Sequence, residues 1–168
     1  SARIIINHVK DGDEMARRHK LPRRVRDFIL EHQGTGIVRV FYHEAQKQAA
    51  PNPVDEKDFR YPGPKPRSRE TALVMLADSC ESAVRAMRPE TQAGIDELVR
   101  KIINQKLIEG ELSQCPLTLT DLETARRIFV QSLQGAHHPR IVYPEAGPVG
   151  DGPEPPKLPE PKPDELQQ

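Results

Sequence analysis

Three polar side chains occupy helical positions that apolar neighbours mark as inward, and all three are of types that hold metal ions. His8 follows Ile4 and Ile5 at spacings of four and three, so the three share one helix face. His32 stands in the same relation to Phe28 and Ile29, and Asp78 shares a face with Val74 and Met75. All three are expected on the buried side of their helices. A buried carboxylate is costly unless it is paired or bound to a metal. Two imidazoles and one carboxylate from three different helices suit a first-row ion such as iron, manganese or zinc. Hydrogen-bonded core histidines meet the same spacing, and Arg85, Glu81 and Ser82 offer Asp78 polar company on its own helix. Spacing alone leaves both readings open.

A second chemical feature lies between those helices. The segment Phe59-Arg60-Tyr61-Pro62-Gly63-Pro64-Lys65-Pro66-Arg67-Ser68-Arg69 combines backbone-stiffening prolines with four cations and the stacking face of Tyr61. It leads into a helix N-terminus, where anions are favoured. Tyr61, Lys65 and Arg69 are therefore candidate contacts to a phosphorylated substrate. Other candidates have plainer readings. His137-His138-Pro139 suits a surface turn, and His19 and His43 sit among charged residues. The run Arg17-Arg18-His19-Lys20 is flanked by acids and reads as a solvated face. Cys80 is expected to pack as a small hydrophobe. Cys115 precedes a proline in a loop. Two cysteines make neither a disulfide framework nor a zinc clip, which points to a reducing compartment.

Helices must position these groups. Ala2 to Val9 reads as helix, with a break or kink at Asp11-Gly12 and helix again over Glu14 to Lys20. Pro22 suits the first helical position of the next, whose stripe is Val25, Phe28 and Ile29. Val38, Phe41, Tyr42 and Ala45 mark another. A long loop without regular structure is expected from Ala49 to Arg67. The strongest helix runs from Ser68 to about Met87, with Ser68 and Thr71 at its cap and Pro89 beyond its end. Ile95, Leu98, Val99, Ile102 and Leu107 mark the next. Thr120 with Glu123 matches a capping box for the last, whose face is Leu122, Ala125, Phe129 and Leu133. No β alternation competes, so the fold class is all-α.

The chain has 168 residues with 25 basic and 25 acidic side chains, and a mean hydropathy of −0.67. A zero net charge argues against a nucleic acid polymer as partner. No apolar run approaches the roughly 20 residues of a membrane helix, and Ser1 to Ile6 shows no signal-peptide pattern. Eight prolines fall between Pro144 and Pro163. Residues 1–143 are thus expected to form a helical domain and residues 144–168 a disordered Pro-rich tail.

Several strings together resemble the HD-domain phosphohydrolases, in particular those attached to seven transmembrane helices. They are Ile4-Ile5-Ile6-Asn7-His8-Val9-Lys10-Asp11-Gly12, Asp27 to Thr35, Phe59 to Pro66, and Glu70-Thr71-Ala72 through Asp78-Ser79. The resemblance covers Ser1 to about Pro144. It implies an HD-domain-like helical bundle incomplete at its N-terminus, with an upstream half and a transmembrane region in the parent chain. It implies a cytoplasmic domain on the inner face of a bacterial membrane, a homodimer, and hydrolysis of cyclic di-AMP to the linear dinucleotide pApA. By the same resemblance His8, His32 and Asp78 are metal ligands for two divalent ions, manganese or iron. Gln33 stands at a position usually occupied by His, where an amide ligates a transition metal weakly. Two rival expectations follow: a degenerate HD module that binds nucleotide without cutting it, and a helical scaffold whose tail recruits partners.

Overall fold

Helix α1 (Ala2–Arg18) runs without interruption through Asp11-Gly12, where the sequence suggests a break. Gly12 serves packing instead. A Cβ there would meet Ile29 Cγ2 at 3.0 Å, so its absence lets α2 (Arg23–Glu31) lie close against α1. Helix α1 ends at a left-handed residue, Lys20, at φ 54°. Two closing bonds satisfy its last carbonyls: Lys20 N to Arg17 O at 3.0 Å and Leu21 N to Ala16 O at 2.9 Å. Pro22 stands just before α2, with an extended ψ of 147°, rather than inside its first turn. The computed structural model describes residues 2–136; the tail and the His137-His138 pair lie outside the described residues.

Helix α3 (Arg39–Ala49) is followed by the Pro-rich connection. That connection is more regular than expected. A 3-10 turn covers Glu56–Phe59, capped where the Asp55 carboxylate accepts from Lys57 N at 2.9 Å. Ile37 and Arg60 form an isolated antiparallel bridge, flanked by Val38 N to Phe59 O at 2.8 Å and Tyr61 N to Gly36 O at 2.9 Å. These bonds pin the loop beside the turn that follows α2. No other β pairing occurs among the described residues, and no helix among them is long and apolar enough to cross a membrane.

Helices α4 (Arg69–Met87), α5 (Gln92–Ile108) and α6 (Leu119–Ala136) pack on one another and carry the core. Ser68 caps α4 in a reciprocal capping box with Thr71. Thr91 caps α5 by accepting from Gly94 N at 3.1 Å. At α6 the box lies two residues earlier than Thr120-Glu123. Thr118 accepts from Asp121 N at 3.1 Å, and Asp121 accepts from Thr118 N at 2.9 Å. The core cluster includes Met75, Leu76, Cys80 and Val84 of α4, Ile95, Val99 and Ile103 of α5, and Leu122, Val130 and Leu133 of α6. Burial pushes the Cys80 thiol up to about 12, as befits a packing residue.

Candidate metal centre

The face of α1 that packs on α2 runs through Val9, Asp13 and Ala16, at spacings of four and three. His8 is one step off that stripe and is exposed, beside an Ile4 that is 74% exposed. Asp78 is exposed as well, because α4 buries the stripe Ala72, Met75, Leu76, Cys80 while Val74 and Asp78 share the opposite side. His32, directly after α2, is half-buried. The sequence places His8 and Asp78 inward; the structure corrects this. Each helix has two partly apolar faces, and the other one was used for packing.

The structure nevertheless brings the two histidines together. His8 Nε2 lies 3.1 Å from His32 Nε2, with ring centroids 5.2 Å apart. Each ring is anchored through its other nitrogen. His32 Nδ1 donates to the Ile29 carbonyl at 2.9 Å, and His8 Nδ1 donates to the Ile5 carbonyl. A carbonyl only accepts, so each Nδ1 carries a hydrogen, and a ring with no second hydrogen presents a bare Nε2 lone pair. Two lone pairs at that separation repel unless a proton or a cation lies between them. With metal–nitrogen bonds of about 2.0–2.1 Å, adjacent ligand nitrogens sit roughly 2.9–3.4 Å apart, which spans the observed separation. Anchoring the distal nitrogen on a carbonyl is the usual second support of a metal-binding histidine. The donor pair therefore fits a transition-metal ion.

Tyr61 contacts this pair, and Gln33 contacts Asp78. The Tyr61 ring meets the His8 ring edge-on at 5.8 Å. Burial first, and then the negative charge of Asp78, push the Tyr61 phenol above its ordinary value, so it stays protonated at neutral pH. Gln33 donates from Nε2 to Asp78 Oδ2 at 3.2 Å. Arg85 pairs with Glu81 at 3.4 Å. Among the described residues no three His, Cys, Asp or Glu side chains are close enough to hold one ion. Asp78 is thus tied by hydrogen bond to Gln33, the residue after His32. The two other candidates have structural partners: Lys65 donates to the Gly110 carbonyl at 2.9 Å, and Arg69 pairs with Asp121 of α6.

Sequence reasoning missed the buried carboxylates that hold these parts in place. Asp13 of α1 binds Arg26 of α2 at 2.7 Å and Arg17 at 2.8 Å. Glu31, only 2% exposed, accepts from Arg67 N at 2.9 Å, Arg67 Nε at 3.1 Å and Thr71 Oγ1 at 2.7 Å. It joins the end of α2 to the start of α4. The one sequence signal nearby is the Gly34-Thr35-Gly36 triplet directly after His32-Gln33, which marks a tight turn.

The sequence matches no protein-family model. It is 42% identical over 146 residues to the cyclic-di-AMP phosphodiesterase PgpH of Bacillus subtilis, covering 87% of this chain and 20% of that protein. The PgpH of Listeria monocytogenes is 37% identical over 142 residues, again across 20% of its length. The chain spans about a fifth of the length of these curated relatives. The crystal structure of the L. monocytogenes PgpH HD domain in complex with cyclic-di-AMP superposes with a TM-score of 0.76 at 36% identity, covering 85% of this chain and 66% of that one.

Proposed function

The chain belongs to the HD-domain phosphohydrolases, and on that premise we propose that it forms part of a metal-dependent site that hydrolyses cyclic di-AMP to pApA. The observation that carries the reading is the pair of carbonyl-anchored imidazoles whose bare Nε2 atoms face one another at 3.1 Å. His8 and His32 are the ligands supplied by α1 and by the residue after α2, and Asp78 is the neighbouring carboxylate of α4. Two divalent ions, manganese or iron, are the proposed occupants of the complete centre. When bound, they supply Lewis acidity toward a phosphate oxygen and acidify a water.

This chain's own residues orient the reactants. Gln33 donates to one oxygen of Asp78 and leaves Asp78 Oδ1 to bind. Tyr61 keeps its phenolic proton and offers an aromatic face beside His8, on which a base of the dinucleotide stacks. Lys65 stiffens the loop by its bond to Gly110, and Arg69 adds positive charge at the start of α4. Both remain proposed phosphate contacts. In the parent protein the domain is proposed to sit on the cytosolic face of a bacterial membrane, joined to an upstream HD half and a transmembrane region, as a homodimer.

One observation favours a second reading. Gln33 spends its amide on Asp78, at a position where the family resemblance implies a histidine. A module that binds cyclic di-AMP without cleaving it would tolerate that exchange. The deciding experiment incubates this chain joined to its upstream HD half, as in the parent protein, with Mn2+ and cyclic di-AMP and follows pApA by chromatography. Product that disappears with chelator supports hydrolysis. Nucleotide binding without product supports the binding module.

A further inference from the structure

The turn that carries His32 is held from two sides. Glu31 fixes its start to α4, as described above. Its far side is held by Glu111, in the connection between α5 and α6, which is 1% exposed. Both carboxylate oxygens of Glu111 go to one residue. Oε2 accepts from Thr35 N at 2.9 Å, and Oε1 accepts from the Thr35 hydroxyl. The Thr35 carbonyl is taken as well, accepting from Arg60 at 3.0 Å. A buried carboxylate without its hydrogen bonds is costly, so this geometry has little freedom.

We propose that Glu111 is a positioning residue for the metal centre: through Thr35 it fixes the turn over residues 32–35 so that His32 Nε2 faces His8 Nε2. This rests on the metal-site reading. Three observations support it. First, Gly34 is pressed directly onto the carboxylate at φ 56°. A Cβ there would lie 2.1 Å from Glu111 Oε2 and 2.6 Å from Met75 Cε. Second, Lys65 reaches Gly110, the residue beside Glu111, so the Tyr61 loop is tied to the same support. Third, Glu111 holds a turn 76 positions away in sequence, three residues from one ligand. An apolar side chain at this buried position would fill the space but leave the Thr35 N–H and hydroxyl without this acceptor. A bidentate carboxylate instead specifies where one backbone segment stands.

The test compares wild type, Glu111→Ala, Glu111→Gln and Thr35→Val in the full chain, using Co2+ as probe. Visible absorption reports ligand geometry, and the His8–His32 ring-proton NOE reports the pair without metal. Glu111→Ala should lower Co2+ affinity by roughly tenfold, the lower end for a supporting residue, change the Co2+ spectrum, and abolish the NOE. Glu111→Gln, which can still accept from Thr35 N and donate to its hydroxyl, should restore all three. If Glu111→Ala does not fold, Thr35→Val carries the same expectation. An unchanged NOE and spectrum in a folded variant overturn the positioning role. A wild type that takes up no Co2+ but loses its NOE on substitution overturns the metal reading and leaves the positioning role standing.

Discussion

Two bare imidazole nitrogens held face to face represent an electrostatic cost that a cation relieves, and this makes the His8–His32 pair testable residue by residue. His8→Ala and His32→Ala should each reduce metal affinity by more than the roughly 10–100-fold of an outer-shell change. Both lie off the core cluster, so Tm without metal should move little. Isothermal titration with Mn2+, beside thermal melts, checks both halves. Gln33→His goes the other way: it replaces a weak amide donor by an imidazole beside His32, and the bound-metal equivalents should rise. The residue types were legible in the sequence, but spacing alone left a metal site and hydrogen-bonded core histidines equally open, and only the family resemblance grouped His8 with His32. Their burial was not legible. Ile4 and Ile5 suggested an inward face, yet Val9, Asp13 and Ala16 form the packed one, and one helix pattern cannot say which of two stripes meets a partner. Glu31 and Glu111 were invisible because their partners lie 36 and 76 positions away.

At the scale of elements, short polar contacts set how helices meet. Gly34→Ala combines a left-handed backbone with a contact far inside van der Waals distance of Glu111. It should cost at least about 1–3 kcal/mol, read from urea unfolding, and loosen metal binding in parallel. The α1–α2 pairing depends on Asp13, whose carboxyl the hydrogen bonds from Arg26 and then Arg17 hold below its ordinary value, against the opposing effect of burial. A depressed folded pKa means the carboxylate's contribution is fully present above the ordinary value of 3.8 and is lost as pH falls through the lower folded value. The stability difference between wild type and Asp13→Asn should therefore be constant near neutrality and shrink only below about pH 4, as acid titrations followed by circular dichroism would show. Helix existence was legible throughout, since apolar spacing dictates it. Two local details were not. Gly12 reads as a break because its role, admitting Ile29, exists only once α2 is in place. The Thr120-Glu123 and Thr118-Asp121 pairs both fit a capping pattern, and the second is the one whose bonds form in both directions.

At the scale of the whole molecule, the core and the candidate site belong to different parts of the helical domain. The main hydrophobic cluster is built from α4, α5, α6 and the connection before α6. Helices α1 and α2 join that core largely through polar clasps: Glu31 to Thr71 and Arg67, and Arg24 to Glu70 at 2.8 Å. Elements with little buried apolar area open at lower free energy than the core they rest on. Amides of α1 and α2 should therefore exchange with deuterium well before those of α4 and α5. Metal changes this order in a specific way. Its two proposed imidazole ligands come from α1 and from the residue after α2, so binding should stabilise the closed arrangement by about 2.7 kcal/mol at a hundred times the dissociation constant. The expected result is slower exchange over α1, α2 and residues 32–36 on adding Mn2+, with α6 unchanged. Leu76→Ala, which opens a cavity in the core, should cost about 2–5 kcal/mol and accelerate exchange everywhere without removing that metal-induced difference. Protection that instead rises uniformly across all helices would mean that the site and the core open as one unit, and that the polar clasps are as strong as the hydrophobic cluster behind them.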